Sequence, residues 1–278
     1  MLILAHRGAS GYAPENTVAA FDLGQRMGAS GIETDVQVSR DGVMVLVHDE
    51  RVDRTTDGTG RVADLTWDEL SRLDAGAWFA PEFAGQRIMQ VGPFLDRYLG
   101  APLLPAARGD ASTPHATQGG AMALPAARGY VTTPSAAGTP VALTLCLEVK
   151  APAAAEPLVA LLRERGLTAR PDIQLSSFNW DATLAVRAAL PDLTVGFLTP
   201  RFDAAEIARV AEAGLVQICP RADTLTPALV EQARARGLQI RAWGVATRDD
   251  LRRVYASGAD GTTLNWPDWA AAFGDGAI

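Results

Sequence analysis

The sequence predicts an α/β fold, a (β/α)8 TIM barrel built as a single domain over all 278 residues. Eight short apolar strands are predicted, starting near residues 2, 31, 141, 173, 193, 215, 238 and 259. Helical patterns separate most of these strands, and glycine follows several of the helices, as is common at helix ends. This alternation favours a parallel sheet closed into a barrel. The alternative is an open doubly wound sheet, but no glycine-rich dinucleotide motif follows the first strand.

The N-terminal part supplies the first two barrel strands. Leu2–Ala5 is a short apolar run, and Asn16–Met27 has the pattern of an amphipathic helix. Gly31–Val38 is the second barrel strand. It is followed, across the turn signal at 40–42, by another strand-like run at Val43–Val47.

Two segments interrupt the regular alternation. Residues 50–92 are predicted to be a small insertion after strand two, placed to cap the barrel mouth. Residues 100–140 are rich in Ala, Gly, Pro, Thr and Ser, and the sequence at 104–109 recurs at 124–129. Such a segment can bury little apolar surface, so we expect a long mobile loop before strand three.

The C-terminal half continues the alternation of strands and helices. Its strands are predicted at Val141–Val149, Ile173–Ser176, Leu193–Leu198, Leu215–Cys219, Leu238–Trp243 and Ala259–Thr263. Its helices are predicted at Trp180–Leu190, Asp203–Ala213, Pro227–Arg236, Arg248–Ser257 and Pro267–Phe273, with an alanine-rich helix ending at Arg165.

Composition narrows the range of functions. The net charge is −7 and the isoelectric point is about 5.0, which argues against a nucleic-acid partner. The N-terminus has no signal-peptide pattern, and no apolar run is long enough for stable membrane insertion, so a cytoplasmic location is expected. Cys146 and Cys219 lie in apolar runs and are interpreted as buried thiols, with a disulfide as the alternative. The oligomeric state is not predicted.

Three carboxylates suggest a metal site at the barrel mouth. Glu33 and Asp35 alternate along strand two and so share one face, and Glu148 lies near the end of strand three. Neighbouring buried carboxylates repel one another unless a cation or a basic side chain compensates them. Oxygen ligands suit Mg²⁺ or Ca²⁺, with Mn²⁺ as a further candidate. The alternatives are a solvated edge strand or pairing with Arg or Lys.

Basic and acid–base groups are predicted at the same end of the barrel. His6 and Arg7 follow strand one, His48 follows the Val43–Val47 run, and Lys150 follows strand three. Two histidines can act as general base and general acid, although each is equally well explained as a structural histidine. Arg7 and Lys150 are suited to binding a phosphate. The combination indicates hydrolysis of a phosphate ester.

Several motifs resemble those of the glycerophosphodiester phosphodiesterases. They are His6-Arg7-Gly8, Pro14-Glu15-Asn16-Thr17, Ile32 to Val36, His48-Asp49, Arg54-Thr55-Thr56, Leu147 to Lys150 and Ser177-Phe178. Trp243 and the sequence at 258–261 resemble the C-terminal signature of that family. The resemblance implies a TIM barrel with an insertion after strand two, and metal-dependent hydrolysis of small glycerophosphodiesters to an alcohol and sn-glycerol 3-phosphate.

The resemblance also implies roles for individual residues. Glu33, Asp35 and Glu148 correspond to the metal ligands, His6 and His48 to the acid–base pair, and Arg7 and Lys150 to phosphate contacts. Glu15 is expected to support this site. Phe178 and Trp243 are expected to line the glycerol carbons, with a role as core aromatics as the alternative. Asn16 and Thr17 are interpreted as residues of the helix start.

Other functions remain open at this point. A barrel phosphodiesterase or lyase that acts on phosphoinositides or sphingolipids would carry similar groups. A non-catalytic module could bind a glycerophosphodiester without cleaving it, and a sugar isomerase is a weaker option. For the hydrolase, the nucleophile is either water or the glycerol 2-hydroxyl, which would give a cyclic phosphate. The preferred head group is not predicted.

Overall fold

A computed structural model describes residues 1–100 and 142–270, where eight parallel strands close into a barrel and confirm the predicted fold. The strands are β1 Leu2–His6, β2 Gly31–Val38, β3 Met44–Leu46, β4 Thr144–Val149, β5 Ile173–Ser177, β6 Thr194–Thr199, β7 Gln217–Pro220, β8 Gln239–Val245 and β9 Gly261–Leu264. The barrel order is β1-β9-β8-β7-β6-β5-β4-β2, and pairing of β1 with β2 closes the ring.

Helices surround the barrel, and those in the C-terminal half lie close to their predicted positions. The helices are α1 Val18–Arg26, α2 Trp67–Leu70, α3 Val91–Tyr98, α4 Ala155–Glu164, α5 Trp180–Ala189, α6 Ala204–Glu212, α7 Pro227–Arg234 and α8 Arg248–Ser257. The predicted helix at Pro267–Phe273 runs past residue 270, and the predicted loop at 100–140 falls almost wholly on 101–141, so both lie partly or mainly outside the described residues.

The main apolar core lies between the strands and the surrounding helices. Phe21 of α1, for example, packs edge-to-face on Phe94 and Tyr98 of α3, with ring centroids 5.0 and 5.7 Å away. The barrel interior is more polar. Gln217 of β7 donates a hydrogen bond to Gln174 of β5 at 3.4 Å, although β6 lies between these strands, so both side chains point toward the barrel axis.

The segment after β2 carries an apolar core of its own. β3 pairs antiparallel with β2 outside the ring of eight strands. The small core contains buried residues of β3, the following loops and α2: Val45, Val47, Val52, Val62, Leu70, Ala75 and Ile88. β3 and the segment that follows it therefore lie outside the ring of eight strands, and the bounds 50–92 of the insertion stay a prediction.

Two observations bear on the compositional predictions. Cys146 and Cys219 are both buried and unbonded to each other, which agrees with their interpretation as thiols. No helix among residues 1–100 and 142–270 is long and apolar enough to cross a bilayer.

The insertion core should contribute measurably to stability. Leu70 is fully buried in it, so Leu70→Ala should lower the free energy of unfolding by about 2–4 kcal/mol through lost burial and the cavity left behind. Arg72, two residues on, is exposed, and among the described residues its one ion-pair partner is Asp68, so Arg72→Ala should change stability by less than about 0.5 kcal/mol. Urea denaturation measures both. Equal costs for the two variants would contradict a packed insertion.

Candidate active site

An unusual backbone turn connects β1 to the barrel mouth. Arg7, directly after β1, has a φ of +57°, and Asn16 has the same value. The Arg7 amide donates to the Glu33 carbonyl at 2.9 Å, and the Asn16 amide donates to the Arg7 carbonyl at 3.0 Å. Gly8 is also left-handed, and a side chain there would place its Cβ 2.4 Å from the Ala20 backbone. The turn therefore packs directly against α1 and holds two polar side chains over β2.

The three predicted metal ligands come together at this mouth. One carboxylate oxygen each from Glu33, Asp35 and Glu148 lies within 4.8 Å of the others, and all three residues are buried. Strand register explains the meeting, since Asp35 of β2 is directly opposite Glu148 of β4. Alternation along β2 places Glu33 on the same face as Asp35.

Asp35 is at the centre of the polar contacts. Its Oδ2 accepts a hydrogen bond from Asn16 Nδ2 at 2.9 Å and lies 3.2 Å from Arg7 Nε, which is not aligned as a hydrogen bond. Lys150 Nζ lies 3.9 Å from Oδ1, and 2.9 Å from Glu148 Oε1. Asp35 Oδ1 is fully buried and accepts no hydrogen bond. A buried anionic oxygen without a donor needs a further partner.

The pKa values reflect repulsion within the acidic cluster. Burial, and then the neighbouring charge of Asp35, raises the pKa of Glu33 well above its usual value and also raises that of Glu148. Burial would raise the pKa of Asp35 as well, but Arg7 and other nearby cations outweigh it and lower the pKa. One carboxylate is thus held ionised while the other two resist ionisation. A divalent cation among them would relieve this repulsion.

His6 lies at one side of the acidic cluster. Its Nδ1 donates to Asn265 Oδ1 at 2.6 Å, and its Nε2 lies 3.8 Å from Glu33 Oε2. An amide oxygen only accepts, so the proton is on Nδ1 and Nε2 carries the free lone pair. Burial, followed by the charge of Arg7, lowers the pKa of His6 to about 4. The side chain is therefore a neutral proton acceptor near pH 7.

His48 has a different environment on the other side. Its Nδ1 donates to Asp49 Oδ1 at 2.6 Å, and Lys150 Nζ donates to its Nε2 at 3.0 Å. Burial is the main cause that lowers the pKa of His48. A carboxylate behind an imidazole fixes its tautomer and stabilises a proton gained on Nε2. The two histidines are therefore supported differently, one by an amide and one by a carboxylate.

Arg54, from the insertion, connects the two sides of the site. Its Nε donates to Asp49 Oδ2 at 2.6 Å, while Nη1 and Nη2 each donate to one oxygen of Glu15 at 2.8 Å. Glu15 in turn accepts from Arg7 Nη1 at 3.0 Å. Hydrogen bonds from Arg54 are the leading cause that holds the pKa of Asp49 well below its usual range. One exposed guanidinium thus orients the carboxylates behind both His48 and Arg7.

Two aromatic rings form a wall beside Lys150. Phe178 packs edge-to-face on Trp243 with ring centroids 5.0 Å apart, and Lys150 Nζ lies 5.8 Å from the Phe178 centroid. Phe178 is 42% exposed, so it is not a core aromatic, and Trp243 is half-buried with its indole donating to the Thr199 carbonyl. All ten predicted site residues therefore surround one end of the barrel.

Four polar residues of this site were not predicted in these roles. Thr17 is the N-cap of α1 as expected, but Asn16 is not part of the helix start and instead holds Asp35. Asp49 and Arg54 lie within the motifs quoted above, so the sequence could have indicated that they belong to the site. Asn265 is 259 residues from His6, and no local pattern identifies it.

The residues present fit a divalent cation. They supply three carboxylate oxygens within 4.8 Å of one another, and one oxygen of Asp35 is buried without a donor among the described residues. No Cys or His is part of this cluster, which disfavours a structural zinc site and suits a hard cation.

Sequence comparison identifies relatives over most of the chain. The model of the glycerophosphoryl diester phosphodiesterase family matches residues 6–108 and 146–269. A glycerophosphodiester phosphodiesterase of Caldanaerobacter subterraneus is 30% identical to this chain in an alignment 284 positions long. The alignment covers 96% of this chain and 95% of that protein. Human glycerophosphodiester phosphodiesterase 1 matches locally, with 51% identity over 74 residues that cover 27% of this chain and 22% of the human protein.

Solved structures agree with this relationship. A glycerophosphodiester phosphodiesterase from Agrobacterium tumefaciens is 28% identical with a TM-score of 0.73, and the match covers 98% of this chain and 99% of that one. A phosphodiesterase from Oleispira antarctica, solved with its product sn-glycerol 3-phosphate, shares the fold at 23% identity and a TM-score of 0.77, covering 99% and 97% of the two chains. The chain therefore belongs to the glycerophosphoryl diester phosphodiesterase family, whose members are phosphoric diester hydrolases.

Proposed function

We propose that this protein hydrolyses small glycerophosphodiesters to an alcohol and sn-glycerol 3-phosphate, with a divalent cation held by Glu33, Asp35 and Glu148. The observation that carries the proposal is the placement of two differently supported histidines, His6 and His48, around one buried acidic cluster. Pure binding of a phosphodiester would need the cations but not two proton-transfer groups.

The basic residues are placed to hold the phosphate. Arg7 Nη1 is paired with Glu15, and Lys150 Nζ lies between Glu148 and His48, so both cations are fixed in orientation before substrate arrives. Cations fixed in this way stabilise negative charge that develops on the phosphoryl oxygens without reorganising during the reaction. The Phe178–Trp243 wall beside Lys150 offers apolar surface for the glycerol carbons.

The histidines provide the proton transfers. Each has its Nδ1 proton held by a partner, so Nε2 is the basic nitrogen of each ring, and that of His48 accepts a hydrogen bond from Lys150 Nζ. One removes a proton from the attacking hydroxyl of water or of the glycerol 2-position, and the other, once protonated, donates to the leaving alkoxide. The cation, when bound, supplies Lewis-acid stabilisation of charge at the phosphate.

Product release tests the proposed reaction directly. After EDTA treatment and readdition of Mg²⁺, Ca²⁺ or Mn²⁺, the protein should release sn-glycerol 3-phosphate from glycerophosphocholine or glycerophosphoethanolamine only with a cation. His6→Ala should reduce kcat about a hundredfold or more, because proton transfer is lost while the cation ligands remain. Glu33→Gln should first weaken cation binding, measured by calorimetry.

One control variant and two alternative results test whether the proposed reaction is correct. His115, the third histidine, is the matched control, and His115→Ala should retain normal turnover. Release from vesicles of sphingomyelin or phosphoinositide, with no release from water-soluble diesters, would favour a lipid-directed phosphodiesterase or lyase. Cation-dependent binding of glycerophosphocholine without any product would instead indicate a binding module.

Leaving-group dependence should assign the general acid. A nitrophenyl leaving group needs no protonation, so the variant that lacks the acid should recover most of its activity on a nitrophenyl diester and little on glycerophosphocholine. The variant that lacks the base should be equally impaired on both substrates. The measurement compares the steady-state rates of His6→Ala and His48→Ala on the nitrophenyl diester and on glycerophosphocholine. Near-normal turnover of glycerophosphocholine by His48→Ala would contradict its acid–base role.

Arg54 should act as a positioning residue. Arg54→Met removes the hydrogen bonds to Asp49 and Glu15 and should reduce kcat about tenfold or more, with a smaller effect on KM, because His48 and Arg7 lose their orientation. The pH–rate profile should also shift, as Asp49 loses its strongest partner. Arg51, another exposed insertion arginine, forms its one ion pair within residues 1–100 and 142–270 with Asp53, so Arg51→Met is the matched control. Identical kinetics for Arg54→Met and Arg51→Met would contradict a positioning role for Arg54.

A further inference from the structure

A second cavity lies at the end of the barrel opposite to the candidate active site. Its volume is about 240 Å³, and its lining includes Gln174, Gln217, Gln239 and Arg241. Gln217 and Gln239 are the first residues of β7 and β8, so the cavity opens at the face where the strands begin. This volume has room for several waters or one small solute.

Arg241 provides an unpaired charge in the wall of this cavity. The residue is 2% exposed, and its Nε donates to Gln217 Oε1 at 3.3 Å. Its Nη2 is buried and has no hydrogen-bond partner among the described residues. A buried guanidinium that lacks both a carboxylate and a full set of acceptors is strongly unfavourable, so a compensating anion would be stabilising.

Two buried cysteines, Cys146 and Cys219, are part of the surroundings of Arg241, and they form no disulfide. The carboxylates that affect Arg241 electrostatically are Glu33 and Glu148. Both belong to the acidic cluster at the other end of the barrel, where a bound cation would compensate them. None of the described carboxylates hydrogen-bonds to Arg241, so Glu33 and Glu148 balance its charge from a distance.

The glutamines add hydrogen-bond donors to the same cavity. Gln217 Nε2 donates to the side-chain oxygens of Gln174 and Gln239, at 3.4 and 3.5 Å. The amide nitrogens of Gln174 and Gln239 therefore remain available as donors. Asp260 is the one acidic residue of the lining, but it lies at the exposed rim, where Arg234 pairs with it at 2.8 Å.

We propose that this cavity binds a small monovalent anion, a halide or a short carboxylate, against Arg241 and the amides of Gln174 and Gln239. One guanidinium and neutral amides provide a single net positive charge, which matches a monoanion. The bound anion would also screen the positive field of Arg241 at Glu33. Cation binding at the acidic cluster should then tighten, and by reciprocity the cation should tighten anion binding.

Bromide is the probe for the site, because it scatters anomalously and needs no substrate. Crystals soaked in sodium bromide should show an anomalous peak in this cavity, beside the Arg241 side chain and the amides of Gln174 and Gln239. In solution, bromide at ten times its dissociation constant should raise the melting temperature by about 3 °C over sodium HEPES of equal ionic strength. Water alone in the cavity and no bromide-specific shift would overturn the proposal.

Variants separate specific binding from a general salt effect. Arg241→Met should abolish the bromide shift, whereas Arg236→Met, at an exposed arginine between α7 and β8, should retain it. If Arg241→Met does not fold, Gln239→Leu tests the same site, since Gln239 is exposed and its loss should weaken bromide binding about fivefold. Equal shifts in the wild type, Gln239→Leu and Arg236→Met would contradict a specific site.

The coupling to the acidic cluster rests on the proposed cation site and has a separate test. Mn²⁺ affinity, measured by electron paramagnetic resonance, should be about fivefold higher in bromide than in HEPES. Gln239→Leu should reduce this difference. A bromide peak with unchanged Mn²⁺ affinity would overturn the coupling, and no Mn²⁺ binding at all would overturn the cation site while bromide binding still tests the cavity.

Discussion

The repulsion among three buried carboxylates is the constraint on which the rest of this site depends. Glu33, Asp35 and Glu148 are forced together by the barrel register, and burial deprives them of hydration. Arg7 and Lys150 compensate part of this charge, and Asn16 donates to Asp35. The compensation is incomplete, because the pKa values of Glu33 and Glu148 are raised and Asp35 Oδ1 has no donor among the described residues. A divalent cation would supply the positive charge that such a site lacks.

The strained turn after β1 shows how the backbone serves this electrostatic arrangement. Arg7 and Asn16 both adopt left-handed conformations that cost free energy in residues other than glycine. In return the two side chains reach the same carboxylate from one side, while Thr34 Oγ1 holds the Asn16 oxygen at 2.7 Å. The network favours the ionised form of Asp35, so one carboxylate of the proposed cation site is oriented and charged before the other two lose their protons.

The insertion is a peripheral part of the fold that contacts the candidate active site. It packs through its own apolar core, yet Arg54 extends from it to the carboxylates behind His48 and Arg7. The orientation of His48 and of Arg7 therefore depends on how the insertion packs against the barrel. Substitutions in that small core can therefore affect turnover without contacting substrate. At the other end of the barrel, the charge of Arg241 connects the interior to the same acidic cluster.

The sequence by itself determined the strand–helix alternation, the paired placement of Glu33 and Asp35, and the motif order that predicted the barrel and the family. These are local features, set by side-chain period and residue type. Only the tertiary structure placed Glu148 opposite Asp35, Asn265 beside His6, and Arg54 between Asp49 and Glu15. Such contacts depend on strand register and on loop packing between distant segments. No local pattern encodes them, because the partners meet only once the barrel has closed.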